Sequence, residues 1–176
     1  LGCYMSESNG STIFSDAGIQ QRTTITAAST KITYTGQPTD GQKITIISSD
    51  GTSKTYECDS GGASNGDTTG GSITNGNVAF VLGGNADTTY TNLIAAINHA
   101  NGHNAGSANS VISITDGTGT GNTANGTVTL TQVVPGEIGN TTIVEDLANA
   151  TVAGVSPTTS NKFTGGFDDN HAVPIL

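Results

Sequence analysis

The chain has 176 residues, a formal net charge of −9 and only five Lys and Arg residues. Its length fits one domain with short arms. Arg22, Lys31, Lys43, Lys54 and Lys162 are scattered singly, so neither a phosphate-binding face for nucleic acid nor a basic patch for an anionic membrane is expected.

The hydrophobic fraction, which leaves out the 25 glycines, is only 33%. Disorder is still a poor reading. Charged residues make up only 11%, and the apolar ones gather in β-branched runs separated by Thr, Ser, Gly and Asn. Thr suits a half-wet pleated surface, and Gly and Asn suit tight turns. This composition points to a β-rich virion or extracellular protein. No run approaches the ~20 apolar residues of a membrane-spanning helix.

Residues 1–29 read as an extended N-terminal arm in which Ile13, Phe14, Ile19 and Ile25 are the strongly apolar positions. Cys3 lies in this arm and Cys58 in the domain. A disulfide between them would tie the arm down, and two free thiols are the equal alternative, because spacing does not show Cα separation.

Residues 30–167 read as a β-rich domain. "KITYTG" is a first strand. "GQKITIISSDGTSKTYEC" is a hairpin, because Asp50-Gly51 separates two β-prone runs. Residues 59–77 form a long polar, Gly-rich loop of the kind that is usually functional or mobile, and 78–82 form a short buried strand. In "NADTTYTNLIAAINHANGH", Tyr90, Leu93, Ile94 and Ile97 repeat at i, i+3, i+4 and i+7. That predicts one helix, capped by Asp87 or Thr88 and leaving through a left-handed Asn101-Gly102.

"SVISITDG" and "GTVTLTQVV" follow as strands, with Val128 and Leu130 alternating with Thr129 and Thr131. Pro135-Gly136 and Gly139-Asn140 then interrupt the chain. The expectation is a wide connection with Val133, Val134 and Ile138 packed beneath it and Ile143 and Val144 resuming the sheet. "ATVAGVS" is a further strand. Residues 168–176 form an apolar-ended C-terminal tail, "AVPIL". The fold class expected is α+β: a mainly antiparallel sheet carrying one amphipathic helix, flanked by arms.

Catalytic equipment is sparse. His99 and His103 are four apart, but Gly102 intervenes and no Cys or carboxylate lies within a turn, so surface histidines at a helix end are expected rather than a metal pair. "DGTGTGNTANG" is not a dinucleotide fingerprint and joins two strands. Asp168-Asp169 and the Asp-bearing 59–67 segment offer a weak possibility of calcium through oxygen ligands. Asn9, Asn125, Asn140 and Asn149 head Asn-x-Ser/Thr sequons, as chance supplies in so Asn- and Thr-rich a chain. No enzyme and no cofactor are expected.

Residues 41–166 resemble a recurrent domain of bacteriophage virion proteins, particularly of marine and cyanobacterial phages. The resemblance is carried by "KITIISSDGTSKTY", "LIAAINHANGHNA", "VTLTQVVPGEIGNTTIVED" and "FTGG", in that order. A shorter pattern of the same kind is similar to inserted domains of flagellin and hook-associated proteins. The resemblance implies a structural unit on an exposed assembly surface, with other virion proteins and copies of itself as partners, and no catalytic residues. The expectation is a capsid decoration protein on the particle surface. The alternatives are a tail, fibre or extracellular filament subunit, and a carbohydrate-binding module using the 59–77 loop with Tyr34, Tyr56 or Tyr90. Ile13, Phe14, Ile19, Val173, Ile175 and Leu176 are the expected assembly contacts.

Overall fold

A computed structural model describes residues 5–8, 11–14, 25–104, 112–117, 126–155, 158 and 160–168. The strands are β1 (Met5–Ser8), β2 (Ser11–Phe14), β3 (Ser29–Tyr34), β4 (Lys43–Ile47), β5 (Ser53–Asp59), β6 (Val78–Val81), β7 (Ile112–Gly117), β8 (Gly126–Gln132), β9 (Val144–Glu145) and β10 (Ala150–Gly154). One α-helix, α1 (Ala86–Asn98), falls between β6 and β7, and a 3-10 turn spans Glu137–Gly139. The fold is α+β and mostly strand.

One sheet has the order β10-β3-β8-β7 and is antiparallel throughout; the other runs β6-β5-β4-β9. β4 and β5 form the expected hairpin, with Ile47 opposite Ser53 across the Asp50-Gly51 turn. Gly51 has φ +84°, the left-handed conformation that glycine adopts without strain. Among the described residues β1 and β2 pair only with each other, Met5 opposite Phe14. Within the expected N-terminal arm, residues 5–8 and 11–14 therefore make a small hairpin.

The second sheet is mixed because β6 lies parallel to β5, Tyr56 opposite Val78. A parallel neighbour cannot be reached through a tight turn; it needs a crossover of a dozen or more residues. The Gly-rich loop between β5 and β6 supplies that crossover.

Period-two alternation aims the side chains. Ile32 and Tyr34 of β3, Ile44 and Ile46 of β4, Tyr56 and Cys58 of β5, and Val128 and Leu130 of β8 all point into one core. The helix adds Tyr90, Leu93, Ala96 and Ile97, each fully buried, with Ile94 packed at the margin. Burying one such large apolar side chain contributes about 1.5–3 kcal/mol. The Tyr34 and Tyr90 rings stack at 4.0 Å between centroids, and the Tyr34 hydroxyl donates to Asp87 Oδ1 at 2.9 Å. Helix and first sheet are thereby joined.

The helix ends differ from the sequence expectation. Asn85 is the cap, its Oδ1 accepting from the Thr88 N–H at 2.8 Å. Asp87 lies inside the first turn, where its negative charge complements the helix dipole's positive end. At the other end His99 is extended, and the left-handed residue is Asn104. Gly102 is needed for a close approach instead: a Cβ there would lie 2.2 Å from the Ala96 carbonyl oxygen.

Candidate assembly surface

The body is closed by its two ends. Ser29 and Thr164 exchange backbone hydrogen bonds at 2.8 and 3.1 Å, and Thr26 and Phe167 exchange two at 3.2 Å. Ile25 and Asp168 are next along the chain on either side, so the N-terminal and C-terminal segments leave the body side by side.

The interrupted stretch after β8 holds this crossing in place. Gly136 has φ +116° and donates its N–H to the Thr26 carbonyl at 2.9 Å. The Glu137 N–H donates to Asp168 Oδ1 at 3.1 Å. The Asn140 amide clasps Gly166, donating to its carbonyl at 2.9 Å and accepting from its N–H at 3.0 Å. Asn140 is thus a structural amide.

Around the crossing large apolar side chains face outward: Ile25, Val133, Val134, Phe167 and, at 65% exposure, Ile138. A shallow cleft of about 240 Å³ lies beside Phe167, lined also by Glu137, Asn140 and Lys162. The expectation that Val133, Val134 and Ile138 pack beneath the connection is overturned. The inner position is taken by Gln132, only 1% exposed. Its Oε1 accepts from the Ser49 N–H at 2.8 Å, and its Nε2 donates to the Ile47 carbonyl at 3.1 Å and to Thr141 Oγ1 at 3.2 Å. A buried amide so satisfied is the last inward residue of β8, and the chain then turns out to solvent. Ile143 does return to the core, at 1% exposure, while Val144 of β9 faces out.

Of the expected assembly contacts, Ile13 and Phe14 are in β2. Ile19, Val173, Ile175 and Leu176 lie outside the described residues, as do Cys3, Asp169 and His171. Cys58 is a free, fully buried thiol. Burial, with Asp40 and Asp59 nearby, pushes its pKa up to about 12, which keeps it a thiol and a poor nucleophile.

His103 is not the surface residue expected from its place after the helix. It is 2% exposed. Its N–H donates to Tyr56 Oη at 3.1 Å, the Tyr56 hydroxyl meets Nδ1 at 2.6 Å, and Nε2 faces the Thr52 carbonyl at 3.2 Å. A neutral ring satisfies all three contacts, with Nδ1 accepting and Nε2–H donating. Desolvation holds its pKa below the usual 6.5, with Lys54 opposing and Asp50 favouring the charge. A lowered folded-state pKa means that stability is complete above pH 6.5 and declines as pH falls below it, because the unfolded chain takes up the proton first. In urea melts just below pH 6.5, His103→Gln should flatten the slope. A slope unchanged in the variant would assign it to other groups.

The 59–77 loop is organised around carboxylates from the loop, from β5 and from the segment before β4. Asp59 accepts from the Ala63 N–H, the Ser72 N–H and the Ser72 hydroxyl at 2.6–2.8 Å. Glu57 accepts from the Thr74 N–H and Asn77 Nδ2 and lies 3.6 Å from Lys43 Nζ. Asp40 accepts from the Ser60 N–H and the Ser72 hydroxyl. Burial opposes the charge on Asp59 and Glu57, but these donors win and hold both below the usual carboxylate range. The oxygens that calcium would need are turned toward N–H and O–H donors. Among the described residues no group of three His, Cys, Asp or Glu is placed to hold a metal ion. Tyr34, Tyr56 and Tyr90 are all 0% exposed, so none of the three rings offers a face for stacking on a sugar.

Among the described residues no helix is long and apolar enough to cross a membrane. No protein-family model, curated protein or solved structure matches this chain. Fold and surface together describe an α+β body with two segments leaving it at one apolar-rimmed place.

Proposed function

We propose that this chain is a structural protein of a bacteriophage particle, decorating the outer capsid. The observation that supports the reading best is the convergence of both terminal segments at the Thr26–Phe167 pair, beside exposed Ile25, Val133, Val134, Ile138 and Phe167. Clustered apolar exposure marks an interaction surface. Arms attached beside it deliver their apolar residues to the same partner. The partners are other virion proteins, chiefly the major capsid protein, and further copies of the chain. The scattered cations argue against nucleic acid as a partner.

The arm is the part to remove. Deleting residues 1–24 leaves Thr26 and Ser29, and hence the closing pairs, in place. The shortened chain should unfold at an unchanged temperature and lose binding to particles. Undiminished particle binding would overturn the proposal.

A second reading, a tail, fibre or extracellular filament subunit, draws support from the position of β7 at the rim of its sheet. Purified alone, a filament subunit polymerises, whereas a decoration protein stays small until particles are added.

A further inference from the structure

The buried His103 ring fastens the exit of the helix to the β4–β5 hairpin. Tyr56 Oη of β5 meets Nδ1, and the carbonyl of Thr52, just before β5, meets Nε2. This arrangement suits one protonation state. The Tyr56 hydroxyl accepts the His103 N–H and gives its own proton to Nδ1. An imidazolium carries protons on both ring nitrogens and accepts none. Its Nδ1–H would point at the hydroxyl, whose own proton would lose its acceptor. The charge would also sit where the residue is only 2% exposed, and an unpaired buried charge is costly.

The groups around the ring do not cancel that cost. Lys54 of β5 repels the charge and Asp50 of the hairpin turn attracts it. Asp50 is already engaged by the Ser48 hydroxyl and the Thr52 N–H, at 2.6 and 2.9 Å. Burial pushes the Tyr56 pKa up, so Tyr56 stays a hydroxyl. The helix end faces the residue with backbone, the Ile97 carbonyl lying 3.1 Å from the His103 N.

The helix exit divides at Gly102. Before it, Asn101 Nδ2 donates to the Gly66 carbonyl at 2.9 Å, and the His99 ring lies against Gly66, where a Cβ would be 2.2 Å from its Cγ. After it, the His103 and Asn104 N–H groups donate to the Ile97 and His99 carbonyls of the same helix end. The contacts of His103 with Tyr56 and Thr52 cross from that segment to the sheet.

We propose that His103 is an acid-sensitive latch: its protonation frees residues 102–104 from Tyr56 and Thr52 and opens the helix exit while both sheets stay folded. In the opened segment the ring meets water and takes up its proton near the ordinary 6.5, whereas in the closed one desolvation holds the pKa lower. The closed form is therefore fully favoured above pH 6.5 and loses ground as pH falls below it. Local openings of this kind need less free energy than unfolding of the whole body. The latch depends on neither assembly reading above.

Native-state amide exchange on the full-length chain, from neutral pH to about pH 5 and with or without sub-denaturing urea, tests it. Protection of the His103 and Asn104 amides, corrected for intrinsic exchange, should fall by up to about tenfold for each pH unit below 6.5. Urea should leave that protection nearly unchanged, because a local opening exposes little surface. The Val128 and Leu130 amides of β8 should instead follow the urea slope of complete unfolding. His103→Gln, whose amide does not titrate, should remove the pH dependence at Asn104. Protection that ignores pH, or that shares the urea slope of the β8 amides, would overturn the latch in the unmodified chain alone. A pH dependence that survives in His103→Gln would overturn it as well.

Discussion

Replacing Gln132 with Leu is expected to lower stability by about 2–3 kcal/mol, the cost of orphaning a buried donor and weakening a second contact. The side chain is nearly isosteric and apolar, so hydrophobic burial by itself would predict no loss. Gln132 belongs to one sheet, while Ser49 and Ile47 belong to the β4–β5 hairpin of the other. Ser49 is 5% exposed, and its N–H would face a methyl group. The Ile47 carbonyl would keep the Thr141 hydroxyl at 2.5 Å and suffer less. Urea unfolding should show a lower midpoint with an unchanged slope. A loss under about 0.5 kcal/mol, the range of ordinary surface changes, would show that the amide does not join the sheets.

Gly166→Ala is expected to cost about 3 kcal/mol, the upper part of the usual overpacking range. An added Cβ would lie 2.2 Å from the Gly136 carbonyl oxygen. Neither backbone can retreat easily, since Gly136 is bonded to Thr26 and Gly166 is clasped by Asn140. Gly139 provides the comparison. Its added Cβ would lie 3.1 Å from Gln132 Cγ and 3.2 Å from Ala28 Cβ. Those side-chain atoms can shift slightly, so Gly139→Ala should cost about 1 kcal/mol and the bulkier Gly139→Val about 2. Thermal melts should rank the three variants in that order, and limited proteolysis of Gly166→Ala should cut first in the closing segment, residues 160–168. A Gly166→Ala chain as stable as the original would contradict the described approach of the two backbones.

Several features were legible in the sequence because short-range chemistry determines them. Asp50-Gly51 between β-prone runs is a hairpin wherever the fold places it. The Tyr90, Leu93, Ile94, Ile97 spacing is one helix face, and the Val-Thr-Leu-Thr alternation of β8 has one wet side. The helix cap was misplaced by two or three residues because Asn85, Asp87 and Thr88 are all competent caps and only the backbone path selects among them. Of the candidate surface, the sequence marked the arms and the Pro-Gly break but not the outward turn after Gln132. A Val-Val pair reads as core until a buried amide is seen to occupy the inner position.

By itself, then, the sequence determined the α+β class, the hairpin and the helix, all of which follow from local periodicity and turn residues. Tertiary structure alone decided that the Gly-rich loop is a crossover making β6 parallel, and that Tyr34, Tyr56, Tyr90 and His103 face inward. It also decided that Val133, Val134 and Ile138 face outward and that both ends meet at Thr26 and Phe167. Each of these depends on which elements meet and in what register, and those contacts join residues from Tyr56 and Val78 to Thr26 and Phe167, beyond the reach of any local pattern.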